Sequence, residues 1–273
     1  MLNGCRHFLF FFAIERGVRQ GGVLSPQLFS VYIDEVVKII EAQRIGCHIG
    51  VNCVSTILYA DDILLLAPSV ECLQRLLLLC EAELQAWDLL INDRKTVCMR
   101  VGPRYLVKCA VILTLCGKPL QWVQRISYLG VNIISAREFC CCFDDIKKSF
   151  YRSFNSIFGR VGRRAASEEV ILSLIKSKCL PILLYGVEAI PISKSNKQSL
   201  EFTVTRLLMK IFRSSSNEVI EYCRVFFMFS TVSELITRRK INFLRKFKVM
   251  DNSLCNLFVT AANIELLTYT AGD

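Results

Sequence analysis

The sequence predicts an α+β protein in which a mixed region of short strands and helices is followed by a helical region. Up to residue 134, apolar runs of strand length alternate with turn residues and two helical patterns; beyond residue 143, apolar residues recur at helical spacing. The pattern changes between Ile134 and Phe143, so we predict two regions, 1–136 and 137–273. A chain of 273 residues is long enough for both regions to bury a core.

The first predicted elements are a strand, a glycine loop and a helix. Residues 8–14 form an apolar, aromatic-rich run, and a glycine-containing loop follows at 17–22. Ser25 is the expected N-cap of the first helix and Pro26 its first helical residue, with the helix ending near 44–46. The expected apolar face consists of Phe29, Tyr32, Ile33, Val36, Val37 and Ile40.

A β-hairpin and a second helix come next. Residues 54–67, VSTILYADDILLLA, are two short apolar runs joined at Ala60, Asp61 and Asp62, which predicts a hairpin with two carboxylates at its turn. From Ser69 an amphipathic helix is predicted to pack on one side only. Its apolar stripe is Leu73, Leu76, Leu77, Cys80, Leu84 and Trp87, and its other faces carry Glu71, Gln74, Glu81, Glu83 and Gln85.

The rest of the chain predicts short strands and then helices. Turn signals at 92–93, 102–103 and 117–119 divide residues 89–134 into short strands that end in the apolar segment 127–134. Four helices are predicted after residue 143, at 144–158, 167–179, 197–212 and 232–249.

Charge and hydropathy limit the possible partners. The net charge of +10 suggests a polyanionic partner or an acidic membrane surface, without choosing between them. It divides into −2 over residues 1–100, +9 over 101–200 and +3 over 201–273, so the excess of positive charge lies after residue 100. Charged residues interrupt every apolar run before it could span a bilayer, and residues 8–14 lack a signal-peptide cleavage site. We therefore expect no membrane association and an intracellular location, in the cytoplasm, the nucleus or both.

The 14 cysteines suggest a reduced protein and not a zinc protein. No C-x-x-C pair and no paired Cys and His spacing of the zinc type is present. Several cysteines lie in apolar stretches, where a free thiol acts as a small hydrophobic group. The run at 140–142 has no explanation in the sequence.

Asp61 and Asp62 are the candidate metal ligands. Adjacent carboxylates flanked by apolar residues repel each other and are costly to desolvate unless a cation compensates them, and hard oxygen ligands suit Mg²⁺. An Asp-Asp pair is also ordinary turn chemistry in solvent, which is the favoured interpretation of YADD alone. RQGGVLSP at 19–26, a basic residue, an amide and a glycine pair before a helix, suits close approach of a nucleotide to the backbone. Taken alone, a glycine loop capped by Ser25 is the favoured interpretation of this segment.

Four motifs together resemble a reverse transcriptase palm. GVRQGGVLSPQLFSVYID at 17–34, YADDILLLAPS at 59–69, INDRKT at 91–96 and YLGVNI at 128–133 occur in the order of motif B, motif C, motif D and the primer grip. The sequence resembles the reverse transcriptases of non-LTR (LINE-like) retrotransposons, and residues 166–195 are similar to the post-palm region of these elements. The resemblance implies a partial polymerase palm at 1–136, an antiparallel sheet with packed helices, and a basic, helical, thumb-like domain at 137–273.

The resemblance also implies roles for individual residues. Asp61 would bind metal in the YADD turn, with Asp62 supporting the metal site, and Lys95 would protonate the departing pyrophosphate. The primer end would lie near Tyr59 and would be held by the primer grip at Tyr128, Leu129 and Gly130. The pocket for the incoming nucleotide and the template base would be formed by Arg19, Gln20, Gly21 and Gly22.

By the same resemblance, the reaction would be two-metal nucleotidyl transfer onto a primer 3′ hydroxyl. The cofactor would be Mg²⁺, with Mn²⁺ as a substitute. The partners would be an RNA template, a DNA primer and deoxynucleoside triphosphates.

The sequence departs from the family upstream of motif B. The family's first catalytic aspartate, in motif A, belongs to a strand before motif B, but no aspartate occurs among the first 18 residues. We therefore expect an N-terminally truncated domain without fingers and motif A, and this chain alone is predicted not to polymerise DNA.

Two further hypotheses concern the later region. A catalytically silent remnant could still bind nucleic acid through the backbone-contacting candidates Lys147, Lys148, Arg152, Arg160, Arg163 and Arg164, which are interleaved with aromatic residues. For those aromatics, packing in the core is the favoured interpretation. Alternatively, without fingers and motif A the palm sheet would expose an edge and apolar surface, giving an unstable product.

Overall fold

The computed structural model describes residues 23–161 and 167–270, with the backbone alone at Val161. These residues form two compact units: the first holds the described residues up to Thr96 together with Cys109–Gln121, and the second holds Val97–Lys108 and the described residues from Trp122 onward. The strands between 122 and 136 thus belong to the second unit. The boundary at 136/137 stays a prediction about sequence regions.

The elements follow an α+β order, as predicted. Up to residue 134 they are α1 (Ser25–Ala42), β1 (Cys47–Ile49), β2 (Asn52–Val54), β3 (Thr56–Tyr59), β4 (Asp62–Leu65), α2 (Val70–Ala86), β5 (Val97–Cys98), β6 (Ile112–Leu113), β7 (Pro119–Trp122), β8 (Arg125–Tyr128) and β9 (Val131–Ile134). After them come β10 (Cys140–Cys142), α3 (Asp144–Val161), α4 (Glu168–Leu174), a π-helical turn (Ile175–Cys179), α5 (Leu180–Leu183), α6 (Lys194–Phe212), α7 (Asn217–Phe226), α8 (Val232–Phe247) and α9 (Ser253–Thr270).

The core of the first unit is the contact between α1 and α2. Ile33, Val36 and Ile40 of α1 pack with Leu76, Cys80 and Leu84 of α2, and apolar residues of β3 and β4 pack against the same cluster. These buried residues repeat every three or four positions, so each helix presents one apolar face. The predicted faces of both helices are confirmed at these positions.

Two details of these helices differ from the prediction. Ser25 is not the N-cap of α1: Leu24 is already helical, and its carbonyl accepts from the Leu28 amide at 2.9 Å, so Ser25 lies inside the first turn. Helix α2 does not pack on one side only, because Glu81 is buried and its Oε2 accepts from the Leu115 amide at 2.8 Å. The backbone of the 112–115 segment therefore forms a hydrogen bond with Glu81, a side chain that helical periodicity predicts to be exposed to solvent.

A three-stranded antiparallel sheet and a helical core make up most of the second unit. Strand β9 lies between β8 and β10, with Cys141 directly opposite Ile133. Cys141 is buried, which explains the cysteine run: it is an edge strand in which a small apolar side chain faces inward. The largest buried side chains of the helical core are Phe150, Phe154, Leu172, Ile175, Leu183, Leu200, Leu207 and Leu208.

The predicted helices after residue 143 are present, with some changes. The segment predicted at 167–179 begins at Glu168 and passes through the π-helical turn into α5. Helices α7 and α9 were not predicted. Apolar residues surround α9 without a single stripe, so periodicity gives no signal there. Within the described ranges, no helix is both long and apolar enough to cross a membrane.

Candidate active site

The YADD turn closes the β3–β4 hairpin, as predicted. Tyr59 and Asp62 are the last paired residues, so Ala60 and Asp61 form a two-residue loop. Ala60 has a φ of +52°, a left-handed conformation that reverses the chain within two residues. Tyr59 is 61% exposed, and both carboxylates face solvent.

Asp61 and Asp62 are exposed, whereas the apolar residues around them predict that the carboxylates are desolvated. The flanking apolar residues suggest a costly desolvation of the carboxylates, but Asp61 lies in the two-residue loop, Asp62 is the first residue of β4, and both are exposed to water. Elsewhere in the described ranges no side chain forms an ion pair or hydrogen bond with either carboxylate. The electrostatic demand for a cation is therefore smaller than predicted, and both carboxylates are free to accept a ligand.

The donor set of this turn fits a divalent ion of the hard type. Two carboxylates on adjacent residues offer the oxygen ligands that Mg²⁺ prefers, while water and substrate phosphates commonly complete its octahedral shell. Nowhere in the described part of the chain do three or more His, Cys, Asp or Glu side chains gather into a metal-binding group. The turn therefore supplies part of a coordination shell.

Lys95 lies in a turn organised by Asn92. The side-chain oxygen of Asn92 accepts from the amides of Arg94 and Lys95, at 3.2 and 3.3 Å, and its carbonyl accepts from the Thr96 hydroxyl at 2.9 Å. This Asx turn explains the Asn-x-x-Lys-Thr spacing, since Asn92 and Thr96 close the loop from both ends. The Lys95 side chain is left exposed to solvent.

An ion pair connects the same turn to the β6–β7 loop. Lys118 Nζ lies 2.5 Å from Asp93 Oδ2. The hydrogen bond from Lys118 lowers the pKa of Asp93, and the same bond raises the pKa of Lys118. Because the pair is solvent-exposed, its main effect is on the orientation of the loop and not on stability.

Tyr128, Leu129 and Gly130 lie at a second hairpin turn, in the second unit. Tyr128 pairs with Val131, so Leu129 and Gly130 form the two-residue loop between β8 and β9. Their φ angles are +47° and +77°, which is the left-handed pair of a type I′ turn. The segment predicted as one apolar run, 127–134, is therefore a tight hairpin with the three candidate residues at its tip.

The basic candidates on α3 are not equivalent. Lys148, Arg152 and Arg160 follow at intervals of four and eight residues and share the exposed face of the helix. Lys147 is turned away from this face: its ammonium contacts Asp144 Oδ1 at 2.9 Å and Ser199 Oγ at 3.1 Å. We call Lys148, Arg152 and Arg160 the α3 basic face.

The aromatic residues of α3 are core residues, as favoured from the sequence. Phe150 and Phe154 are fully buried, and Phe154 stacks on Phe158 with ring centroids 5.2 Å apart. They are therefore not available for stacking with nucleic-acid bases.

Basic residues beyond those singled out in the sequence add to this surface. Lys210 of α6 donates to Asn155 Oδ1 at 3.2 Å, which places a further ammonium beside the α3 basic face. Helix α8 exposes another group, consisting of Arg238, Arg245, Lys246 and Lys248. The position of Lys210 beside α3 depends on tertiary packing and cannot be predicted from the sequence. The cluster of basic residues in and after α8 is visible in the sequence.

Six candidates fall outside the described residues. They are Arg19, Gln20, Gly21, Gly22, Arg163 and Arg164.

In a comparison with known proteins, residues 5–133, just under half of the chain, match the family described as "Reverse transcriptase (RNA-dependent DNA polymerase)". Members of this family copy a nucleic-acid template from nucleotide substrates and use divalent metal ions.

Two relatives specify the subclass. The chain is 24% identical over 207 residues to the "Retrovirus-related Pol polyprotein from type-1 retrotransposable element R2" of Popillia japonica, an alignment covering 73% of this chain and 33% of that protein. It is 38% identical over 88 residues to the protein of the same description from Nasonia vitripennis, covering 32% of this chain and 8% of that protein. These matches support a reverse transcriptase domain of an R2-like, non-LTR retrotransposon, and the chain matches a third or less of the length of these relatives.

Proposed function

We propose that this chain supplies the polymerase portion of a retrotransposon reverse transcriptase, which extends a DNA primer along an RNA template. The observation that best supports the proposal is the YADD hairpin turn, inside the segment that matches the reverse transcriptase family. Its two carboxylates face solvent and pair with no side chain among the residues that the structure describes.

Asp61 and Asp62 would hold the divalent ions of a two-metal nucleotidyl transfer. When bound, Mg²⁺ or Mn²⁺ would neutralise the triphosphate and favour ionisation of the primer 3′ hydroxyl. The carboxylates need no reorganisation for this, because both already face solvent at the tip of a short, paired hairpin.

The other candidates would position substrates and move one proton. Lys95, exposed at the end of the Asn92 turn, would donate a proton to the departing pyrophosphate. Tyr59 and the Tyr128–Leu129–Gly130 turn would contact the primer, and Arg19, Gln20, Gly21 and Gly22 would line the nucleotide pocket. Exposure of Lys95 and Tyr59 and the tight geometry of the second turn support these roles.

The 273-residue chain is proposed to need a further aspartate for catalysis. No aspartate precedes motif B in this sequence, and a two-metal site depends on a carboxylate that bridges the ions and sets their separation.

We therefore expect the purified chain, with Mg²⁺, a primed RNA template and deoxynucleoside triphosphates, to incorporate no nucleotide. Primer-extension gels measure this. Template-dependent incorporation that is abolished by Asp61→Ala and retained by Glu41→Ala would contradict the proposed requirement and would establish an active site at the turn.

A nucleic-acid-binding role without catalysis is the second candidate function. The α3 basic face supports it, because its three cationic side chains all lie on the exposed side of the helix and Lys210 lies next to them. Such a surface suits contacts to a phosphate backbone, whose affinity falls with salt as counterions are released.

Salt-dependent binding of a primed RNA template tests this role. Fluorescence anisotropy measures the affinity at several salt concentrations. Replacing Arg152 and Arg160 by Glu removes two phosphate contacts, so the magnitude of the slope of log affinity against log salt should fall by about 1.5. Lys38→Glu is the matched control, since Lys38 already pairs with Asp34 and Glu35 in the first unit. An affinity that does not change with salt would exclude this surface as the binding site. Equal effects of the Arg152 and Arg160 replacement and of Lys38→Glu would exclude it as well.

A further inference from the structure

The Leu129–Gly130 turn contains a left-handed backbone conformation at Leu129, which would be poorly stabilised in an isolated hairpin. Leu129 has a φ of +47°, in a region that residues with a side chain occupy at a cost in free energy. Such conformations persist where surrounding groups fix them. The structure therefore calls for a group that stabilises this turn.

Tyr185, directly after α5, is that group. Its hydroxyl donates a hydrogen bond of 3.0 Å to the carbonyl oxygen of Leu129. Its ring lies against Gly130, where an added Cβ would come within 3.1 Å of Tyr185 Cε1. The turn thus requires glycine for two reasons, its φ of +77° and the closeness of this ring.

The backbone after Tyr185 is shaped to make this approach possible. Gly186 has a φ of +71°, and a Cβ there would lie 3.2 Å from Val131 Cγ2 on the first residue of β9. Side chains at 186 would therefore push the 185–186 segment away from the hairpin. Leu183, Leu184 and Val187 are buried, which fixes this segment in the helical core of the same unit.

The opposite end of the hairpin is held separately. Asp145, in the first turn of α3, forms an ion pair with Arg125 of β8 and contacts Asn132 Nδ2 of β9 at 3.5 Å. With Asp145 at the base and Tyr185 at the tip, both ends of the hairpin are tied to the helical core.

We propose that Tyr185 is a positioning residue for the primer: by bonding Leu129 and packing on Gly130, it sets the place at which the turn contacts the primer 3′ end. This inference rests on the proposed primer-contacting role of residues 128–130. Tyr185 itself acts through the turn, and its side chain is half-exposed.

Photocrosslinking with the full 273-residue chain tests the proposal. The probe is a DNA primer on an RNA template, with 4-thiothymidine at the primer 3′ end, and crosslinked peptides are mapped by mass spectrometry. Tyr185→Phe keeps the ring on Gly130 and removes only the hydroxyl. We expect the crosslink yield at residues 128–131 to fall about fivefold, the loss of one hydrogen bond.

Two controls separate positioning from general damage. The dissociation constant of the duplex should stay within about twofold in Tyr185→Phe, because phosphate contacts dominate the affinity. Tyr222→Phe changes a tyrosine that is 79% exposed on α7 and should leave the yield unchanged.

Each outcome has a distinct meaning. A wild-type yield in Tyr185→Phe, or an equal fall in both variants, overturns the role of Tyr185 and leaves the proposed function intact. If the wild-type chain binds the duplex but never crosslinks at 128–131, the proposed primer-contacting role of the turn fails, and this inference fails with it. If the wild-type chain does not bind the duplex, the proposed function itself fails.

Discussion

Ala60 has a left-handed backbone conformation at the tip of the YADD hairpin, between Tyr59 and Asp61. For an L-residue this conformation costs about 1–2 kcal/mol, while glycine adopts it without a steric penalty but loses about 0.5–1 kcal/mol of chain entropy. Strain at this position is therefore local, and it lies directly beside the carboxylates.

Ala60→Gly is expected to raise the free energy of unfolding by about 0.5 kcal/mol, the difference between these two effects. Urea denaturation followed by circular dichroism measures the change. Ala82→Gly, at an exposed position inside α2, is the control and should lower it by about 0.5–1 kcal/mol. Destabilisation by both changes would mean that the turn is not strained.

Cys80 is a thiol whose chemistry follows from burial. It lies in the α1–α2 core beside Glu81, and burial, with a smaller effect of that carboxylate, raises its pKa to about 11. A thiolate is the reactive form, so Cys80 is protected both sterically and by protonation. Because the ordinary thiol pKa is 9.0, its contribution to stability is present below pH 9 and is lost as the pH rises to about 11.

Alkylation at pH 8 should modify the exposed Cys116 within minutes and leave Cys80 unmodified in the folded chain. Peptide mapping by mass spectrometry distinguishes the two residues, and urea-unfolded protein provides the fully reactive control. Equal rates at Cys80 and Cys116 in the folded chain would contradict the α1–α2 packing.

The sequence predicts the position of Asp61 and Asp62 in a turn but not their exposure. Apolar flanks suggest burial, because the pattern cannot show that both carboxylates lie at the exposed end of the hairpin, Asp61 in its loop and Asp62 at the first residue of β4. Glu81 gives the opposite error: helical spacing assigns it to solvent, although an amide from the 112–115 segment, more than 30 residues away in sequence, binds it. Residue environments therefore depend on long-range contacts that spacing does not encode.

Helices α6, α7 and α8 are joined by a buried ion pair. Arg224 of α7, with a side chain only 3% exposed, donates to Glu201 Oε1 of α6 at 2.6 Å, and Glu201 Oε2 accepts from the Val232 amide at the start of α8 at 2.7 Å. One carboxylate therefore satisfies both a buried guanidinium and a helix N-terminus.

Glu201→Gln should destabilise the chain by about 2 kcal/mol, because it removes the nearer countercharge of the buried guanidinium. The value is below the usual range of about 3–5 kcal/mol, since Glu201 is 29% exposed and Glu221 Oε1 remains 3.5 Å from Arg224 Nε. Arg224→Met replaces the charge by an apolar chain of similar length and should cost less. Urea denaturation measures both.

Glu188→Gln is the control for the buried pair, since it breaks the more exposed pair with Arg239 and should cost less than about 1 kcal/mol. A larger loss for Arg224→Met than for Glu201→Gln would contradict this account.

Most elements with a clear apolar stripe are predicted from the sequence, although the short amphipathic helix α7 is missed. Helices α1, α2, α3, α6 and α8 lie close to their predicted bounds, and the β3–β4 hairpin has its predicted turn. Helix α9 lacks a stripe, and β10 consists of three cysteines whose strand conformation depends on pairing with β9. Both are decided by neighbours, so neither is visible in local periodicity.

At the scale of the whole molecule, the two units differ in the size of their cores. The helical unit contains a large cluster of fully buried aromatic and aliphatic side chains, whereas the first unit depends mainly on the contact between α1 and α2. Buried apolar area is the main source of stability, so the units should not be equally stable.

Hydrogen exchange should therefore protect amides of α3 and α6 more strongly than those of α1 and α2, with opening free energies that differ by at least about 1 kcal/mol. Peptide-resolved mass spectrometry of the full chain provides the comparison. Rapid exchange in both units would instead support the hypothesis of an unstable product, and equal strong protection would contradict the difference in cores.

The distribution of charge agrees with this division. The sequence is slightly acidic up to residue 100 and basic beyond it, and the structure shows that part of the excess forms the α3 basic face. The acidic portion includes the carboxylate turn proposed to hold divalent ions. The net charge is thus the sum of a slightly acidic portion up to residue 100 and a basic portion after it.

Metal-directed cleavage of the polypeptide tests the proposed metal-binding turn most directly. Fe²⁺ substituted for Mg²⁺, with ascorbate and peroxide, produces hydroxyl radicals that cut the backbone beside a bound ion. With a primed RNA template and a deoxynucleoside triphosphate present, we predict cuts at residues 59–64 that excess Mg²⁺ suppresses. The cuts should disappear in Asp61→Asn with Asp62→Asn and persist in Glu41→Gln; absence of cuts at the turn, or cuts unchanged in the double variant, would contradict the account.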